Sequence, residues 1–309
     1  MEPVSALASP ASLKGVLSAG EAAGALARGF REAGVEADEL PLADGGEGTA
    51  EVLGARVMRL EQVHDAFGRP REAPIRGLVD GTVVVESADA IPLDPSRLDV
   101  RAASSRGLGE LIASVGDCPR LIVCLGGTAT MDAGDGLLEV LHSLPGPTVA
   151  LYDTRATLAE APRLFGPQKG ALSDDVAELE ARFADHHQSF AKLPGAGAAG
   201  GLGAALASLG AELVAGAPFV LEAIGFRERA AGADLVVTGE GTVDRTTFEG
   251  KAPGEAVAVC AELGVRCALF GGRVEDGVEA LPLSGDPVRA EGDLEELGLG
   301  LGGVSLGGA

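Results

Sequence analysis

Lysine is scarce in this chain: four residues, against twenty arginines. Tryptophan is absent, Tyr152 is the one tyrosine, and phenylalanine numbers nine in 309 residues. A core so poor in rings has to be packed from Leu, Val and Ala, which suits helices laid on a buried parallel sheet. Cys118, Cys124, Cys260 and Cys267 show neither CxxC spacing nor the density of a disulfide scaffold, so buried thiols in a reducing compartment are expected. Basic charge is in deficit, 24 residues against 46 acids, for a net charge of −22. Without a basic stripe there is nothing to release counterions from nucleic acid, and an anionic membrane surface is equally disfavoured. No apolar run approaches the ~18 residues of a membrane span. The first basic residue is Lys14, so no charged n-region opens a signal peptide. These absences leave a soluble, cytoplasmic globule with core enough for one large domain or two ordinary ones. They leave its oligomeric state open.

What is present is glycine, and the lysines keep company with it. Lys14-Gly15, Lys169-Gly170 and Gly250-Lys251 account for three of the four, and Lys192 leads into LPGAGAAGGLGAA, residues 193–205. Bare backbone offers N–H groups, and N–H groups beside an ammonium form a phosphate-holding arrangement.

Val4 to Ala8 reads as a short first strand, and Ser18 with Glu21 as a capping box opening a helix that stops at Gly34. Residues 35–42 read as a second strand running into ADGGEGT (43–49). From Arg56 to Ser87, short alternating stretches broken by Gly68, Pro70, Pro74 and Gly81 predict antiparallel hairpins. Helix and strand then alternate: a helix over 105–115, strand LIVCLG (121–126), the loop GGTATMDAGDG, a helix over 137–141 and strand TVALYD (148–153). A helix from Ser173 to about Phe183 follows, and two more follow the glycine run. DLVVTGEG (234–241) reads as a strand feeding a Gly/Glu loop. Pro253 then starts a helix that Gly264 ends, and RCALFGG (266–272) and EALPL (279–283) are the last expected strands. From Gly298 the tail is too glycine-rich to read as structured. The expected class is therefore α/β with two domains. One is a discontinuous Rossmann or flavodoxin-like domain with a parallel sheet, residues 1–62 plus 230–309. The other is an inserted mixed α/β domain, 63–229.

Three glycine-rich loops follow expected strands and carry Asp44, Glu47, Asp132, Asp135, Glu240 and Asp244. Ligands of open α/β sheets sit at the carboxyl ends of strands, and oxygen donors sharing phosphate and water suit Mg²⁺. Each acid taken singly reads as a solvated loop charge; Glu240 with Asp244, in one loop seven residues before Lys251, is the pair that stands out. Other matches fall away. GAGAAG (195–200) fits a dinucleotide fingerprint but lacks the preceding strand, and GVSLG (303–307) has no helix to follow it. Gly250-Lys251 lacks P-loop spacing, and His64, His142, His186 and His187 lack metal spacing, the last two reading as a solvated helix end.

LKGVLSAGEAAGALARGFRE, PLADGGEGT, SSRGLGELI, GGTATMD, RLFGPQKGA, LPGAGAAGGLGAAL, VVTGEGTVD and EGKAP follow one another along nearly the whole chain. That series resembles the bacterial glycerate kinases of the glycerate-2-kinase type. The resemblance implies two α/β domains with the active site in the cleft, and phosphorylation of D-glycerate, a small hydroxy acid, by Mg²⁺ and ATP, usually at the 2-position. Lys14, Asp44, Lys169, Asp244 and Lys251 are then the expected catalytic residues. The lysines neutralise phosphate or carboxylate, and an aspartate takes the hydroxyl proton or holds the metal. Gly126, Gly127, Thr128, Gly197, Gly200, Gly201, Gly239 and Gly241 are the expected ATP-binding positions, and Glu240 with Asp244 the metal ligands. An overall acidic protein must draw two anions through such local cations and helix N-termini.

The chain also departs from the family pattern. Ala11 stands at an expected Asp, Met131 and Ala156 at Asn, Thr242 at Arg and Thr246 at Gln. The Ser-Gly loop after Glu86 reads SADAIP instead, and segments near 142–148 and at the C-terminus are short, with the final helix missing. Loss of a transition-state donor typically costs about 10²–10³ in rate. Two readings therefore stand: a working kinase, and a non-catalytic relative that binds a nucleotide or organic acid as a sensor or partner subunit.

Overall fold

The computed structural model describes residues 5–305, so Val4 and the last four residues lie outside it. The chain divides into two compact units, Met1–Asp44 with Ala217–Ala309, and Gly45–Gly216. Sequence texture put the divisions at 62/63 and 229/230. Residues 45–62 fall in the second unit because the strand beginning at Arg56 pairs there.

Eleven strands run along the described residues: β1 (Ser5–Ala8), β2 (Glu36–Glu39), β3 (Arg56–His64), β4 (Pro70–Gly77), β5 (Val83–Glu86), β6 (Leu121–Leu125), β7 (Thr148–Tyr152), β8 (Glu212–Ala215), β9 (Leu235–Val243), β10 (Arg266–Val274) and β11 (Leu281–Pro282). The first unit holds the five-stranded sheet β11-β10-β9-β1-β2, parallel throughout. This is the expected flavodoxin-like order, with β11 cut to two residues. Alternation along the strands sorts the core. Ala6, Ala8, Val237 and Phe270 pack with Leu26 and Phe30 of the helix Ala19–Glu32. Leu7 and Val236 point to the other face, against Phe226, Ala256 and Cys260. The helix starts as its sequence dictates: Ser18 Oγ accepts from the Glu21 N–H at 3.2 Å, and Glu21 Oε2 accepts from the Ser18 N–H at 2.8 Å.

The C-terminal segment differs from expectation. Residues from Gly298 do not trail off; they continue a helix, Ala290–Ser305, so the final helix is present. Gly298 and Gly302 are contact points rather than breaks. A Cβ on Gly298 would lie 2.4 Å from Leu26 O, and one on Gly29 would lie 2.0 Å from Glu295 O. The two helices approach so closely that only glycine fits, and that contact outweighs the roughly 1 kcal/mol a helical glycine costs.

The second unit is built on the mixed sheet β3-β4-β5-β6-β7-β8. β3, β4 and β5 pair antiparallel, the hairpin texture of residues 56–87, and β5 through β8 run parallel. β5, β6 and β7 are buried along their whole length, which is why they read as unbroken apolar runs. β8, with half-exposed ELVA, gave no such signal and was not expected. The helix over 137–141 is a single turn, Asp135–Leu138. Helices over Arg106–Ser114 and Ala198–Ser208 supply Leu108, Leu111, Leu202 and Leu206 to the core with Val85, Val123 and Leu125.

Candidate active site

In the first sheet, strand order reverses at β1. The chain leaves β1 for β2 on one side, while β9 leads to β10 on the other, so a crevice opens at their carboxyl ends. The segment after β1 stays fastened to β9, through Ser9 N–H to Val237 O (2.8 Å) and Ala11 N–H to Gly239 O (2.9 Å). Leu13 and Leu17 then exchange N–H···O bonds of 3.0 Å, closing a tight turn with Lys14 at its exposed tip. Gly15 takes φ +74° there, a conformation that glycine adopts without strain.

β9 holds TGEG as expected and runs on to Val243, two residues past the expected end at 241. Gly239 is buried in that strand, and a Cβ on it would lie 2.2 Å from Phe270 O. Gly241 has more room, its Cβ position 3.7 Å from Lys14 N. Beyond β9 a short 3₁₀ turn, Arg245–Phe248, is capped by Asp244, whose Oδ1 accepts from Thr246 N (2.8 Å) and Thr246 Oγ1 (2.5 Å). Thr247 Oγ1 donates to Glu240 Oε1 at 2.7 Å, tying the turn back to the strand. Lys251, at the N-cap of the helix Ala252–Leu263, places Nζ 3.6 Å from Glu240 Oε2 and 3.9 Å from Asp244 Oδ1.

Burial drives the Glu240 carboxyl above its ordinary range, against the pull of Lys251, the Thr247 hydroxyl and Lys14; nearby Asp44 adds to the rise. Asp244 moves the other way, held low chiefly by the Thr246 hydroxyl and also by Lys251. Lys14, Asp44, Glu240, Asp244 and Lys251, scattered over the sequence, thus share one electrostatic neighbourhood. For Mg²⁺ the donors are hard oxygens of the right kind. Among the described residues no three acidic, His or Cys side chains gather into a cage. The set therefore fits an ion held by one or two carboxylates plus phosphate oxygens and water, the usual manner of Mg²⁺.

The second unit gathers a different group. Lys169 ends the 3₁₀ turn Pro167–Lys169 and is 4% exposed; its Nζ donates to Thr130 O at 2.9 Å and Thr128 Oγ1 at 3.3 Å. Burial pushes the ammonium down to about 8, while Asp153 and then Asp132 hold it up. Gly126 exchanges hydrogen bonds with Ser87 Oγ, accepting at 3.0 Å and donating at 3.2 Å. Gly127 is exposed, and its carbonyl accepts from Leu93 N–H at 2.7 Å.

The glycine run 195–203 is an interlock. Ala199, Gly200 and Gly201 are left-handed, and Cβ atoms on Gly200 and Gly201 would fall 1.9 Å from Thr130 O and 2.7 Å from Ala133 Cα. Gly197 N–H bonds Ala156 O at 3.0 Å, and Gly201 N–H bonds Gly197 O at 3.3 Å. Gly197, Gly200 and Gly201 are thus buried among backbone, holding the 128–133 loop in place.

The remaining acids sort by partner. Asp132 is scaffold: its carboxylate accepts from Ser105 N and Oγ and from Gly134 and Gly136 N–H. Asp135 pairs with Arg182 at 2.5 Å and His186 at 3.1 Å, while a His187 ring nitrogen bonds Ala133 O. The two histidines are therefore braces of this loop, not a solvated helix end. Glu47 is exposed. Glu86 was missed. Buried at the end of β5, it accepts from Ala50 N–H (2.7 Å) and Gly48 N–H (3.2 Å), fixing the ADGGEGT turn. Burial raises its carboxyl above the ordinary range. Its signal was an acid closing an otherwise apolar strand. At the departures, Met131 and Ala156 are buried, and Thr242 is exposed.

The family profile described as "Glycerate kinase family" matches residues 6–144 and 149–286. The chain is 36% identical over 300 positions to a glycerate kinase of Bacillus subtilis, covering 79% of this chain and 78% of that protein. It is 34% identical over 299 positions to a glycerate 2-kinase of Escherichia coli, covering 79% and 78%. A solved structure carrying the name glycerate kinase 2, from Salmonella typhimurium LT2, superposes with a TM-score of 0.77 at 27% identity, over 97% of this chain and 98% of that one.

Proposed function

This chain belongs to the glycerate kinase family, and from that premise we propose that it transfers the terminal phosphoryl group of ATP to a hydroxyl of D-glycerate, giving 2-phosphoglycerate, or 3-phosphoglycerate if the other hydroxyl attacks. The observation that carries the reading is the Lys251–Glu240–Asp244 group at the β1/β9 switch point, with Lys14 and Asp44 in its field. Phosphoryl transfer asks chiefly for positioning and charge stabilisation, so cations and acids with no nucleophilic side chain are what the reaction needs. Lys251 and Lys14 neutralise phosphate oxygens. Asp44 accepts the proton of the attacking hydroxyl. Glu240 and Asp244 would hold Mg²⁺, which when bound would supply charge neutralisation at the phosphate. Lys169, charged and buried, supplies the second unit's cation for an anionic group, and Gly127 with Thr128 lines its approach.

Two observations favour a second reading, a non-catalytic relative that binds nucleotide or organic acid. Of the two expected Asn positions, Met131 is buried among apolar residues and Ala156 is buried, and Thr242 offers no charge where the family places Arg. ADP release by purified protein from Mg²⁺ and ATP, with and without D-glycerate, separates the two. Glycerate-dependent ADP at about 1–100 per second is the expected result. ATP binding by calorimetry with no glycerate-dependent ADP would establish the second reading instead. The locale proposed is the cytoplasm: all four cysteines are free thiols, and no described helix is long and apolar enough to cross a membrane.

A further inference from the structure

β3 is the terminal strand of the second sheet, and among the described residues it pairs with β4 alone. It is nine residues long and contains neither proline nor lysine, two residues that commonly blunt an open edge. Past the register shift between Val57 and Arg59, its odd residues turn inward: Val63 is buried in the core, and Glu61 opposes buried Ala73. Leu60 and Gln62 take the other face, where Leu60 opposes Pro74 and Gln62 Nε2 donates to Glu72 Oε1 at 2.9 Å. Val57, Met58 and Leu60 are 58%, 60% and 56% exposed. Three large apolar side chains within four residues of an open edge, beside its row of N–H and C=O groups, form a template for another strand.

Charge decides which strand fits. Opposed residues of an antiparallel pair share a face, so a two-fold axis relating two copies of β3 passes at a residue position. An axis at Arg59 or Glu61 opposes like charges. An axis at Met58 sets Arg59 against valine, and one at Gln62 does the same to Glu61. At Leu60 alone the run Arg-Leu-Glu is self-complementary, each Arg59 meeting Glu61 of the partner subunit. Arg59 Nε already holds Glu61 Oε1 of its own chain at 2.6 Å, while its Nη2 is braced on Ser114 O and Val115 O at 2.7 and 3.2 Å. Across the axis the two pairs close into a ring of four alternating charges, an arrangement that favours opposite signs directly opposed.

We propose that β3 is a dimerisation edge: a second copy of this chain adds its own β3 antiparallel, centred on Leu60, and joins the two six-stranded sheets into one. The contact stands apart from the kinase chemistry, so turnover does not enter its test. Sedimentation of the purified full chain should give about twice the 30.9 kDa of one copy. Glu61→Arg, which sets arginines against each other on both sides of the axis, should weaken the dimer about tenfold or more. Leu60→Cys reads the register. Opposed Cα atoms of an antiparallel pair lie about 4.5–5.5 Å apart, within reach of a disulfide. Oxidised glutathione should therefore link the Leu60→Cys chains into a covalent dimer on a non-reducing gel. Gln62→Cys, on the same exposed face, should not link, because its counterpart lies roughly 13 Å further along the strand. The wild-type chain with its own four thiols sets the background. A monomeric wild type overturns the proposal. So does a dimer that Glu61→Arg leaves unchanged, or one in which Gln62→Cys links as readily as Leu60→Cys.

Discussion

Lys251 Nζ stands 3.6 Å from Glu240 Oε2, close enough for strong attraction and too far for a tight hydrogen-bonded pair. An ammonium held at that separation, partly exposed, has donors left for an anion such as a phosphate oxygen. Lys251→Met should lower turnover by about 10²-fold or more. It should also move the acid limb of the kcat/KM profile. Glu240 is already raised by burial, and Lys251 is the main influence opposing that rise. Removing it raises the carboxyl further, so the ionised form is lost at a higher pH as pH falls. A pH–rate series on the variant, read for the position of the limb rather than its height, checks this; an unmoved limb would detach Glu240 from the chemistry.

Lys169→Met should lose activity and gain stability. The native ammonium sits near 8 against 10.5 when unconstrained, so the unfolded chain binds the proton more tightly. Burying the charge costs on the order of 3 kcal/mol below pH 8, before the loss of its two hydrogen bonds is subtracted. As pH rises from about 8 to 10.5 the native lysine is neutral and the penalty drains away. Urea denaturation of both proteins at pH 7 and pH 10.5 should show the variant's advantage at the first and its disappearance at the second. An equal difference at both would mean that packing, not charge, sets it.

Gly29→Ala should destabilise by about 1–3 kcal/mol, because its methyl would meet the Glu295 carbonyl head-on and neither helix can yield cheaply. Gly24→Ala, in the same helix, is the control. Its Cβ would make ordinary contacts with Arg28 Nη1 at 3.5 Å and Glu39 Oε2 at 3.8 Å, so the substitution should be neutral or stabilising by up to about 1 kcal/mol. Urea midpoints for the pair decide the point. Similar losses in both would mean that the contact between the two helices does not set the cost.

Both sheets were legible in outline because buried parallel strands are written as apolar runs and hairpins as alternation. The same rules failed where glycine had two meanings. Gly298 and Gly302 read as breakers yet lie on a helix face, and Gly200 and Gly201 read as a ligand cradle yet are jammed against residues 130–133. Backbone-to-backbone contact leaves no trace in periodicity. The pairing of lysine with glycine, visible in one dimension, singled out Lys14, Lys169 and Lys251; the structure sets Lys14 and Lys251 in the field of Glu240 and buries Lys169. Glu86 was hidden for the opposite reason. It acts on a segment remote in sequence, and its one local sign, an acid closing an apolar strand, does not say which segment it holds. Met131 shows the limit of comparison by motif. The position is polar in the family pattern, yet here it faces Val100, Leu158 and Phe183 in the core, so an Asn restored there would bury an amide.

The order in which the chain leaves the ribosome bears on the first sheet. β1 is its second-innermost strand, yet Ser5 finds its partner Asp234 only 229 residues later. At about 5–20 residues per second that interval is roughly 10–50 s. In the meantime β1, β2 and their helix form a fragment with an open apolar edge, too small to be stable alone. The contiguous unit 45–216 is complete before β9 emerges. Glu240 of β9, Asp244 just after it and Lys251 are therefore installed late, and nascent chains stalled short of them carry a finished second unit and an unclosed first one, a natural client for chaperones.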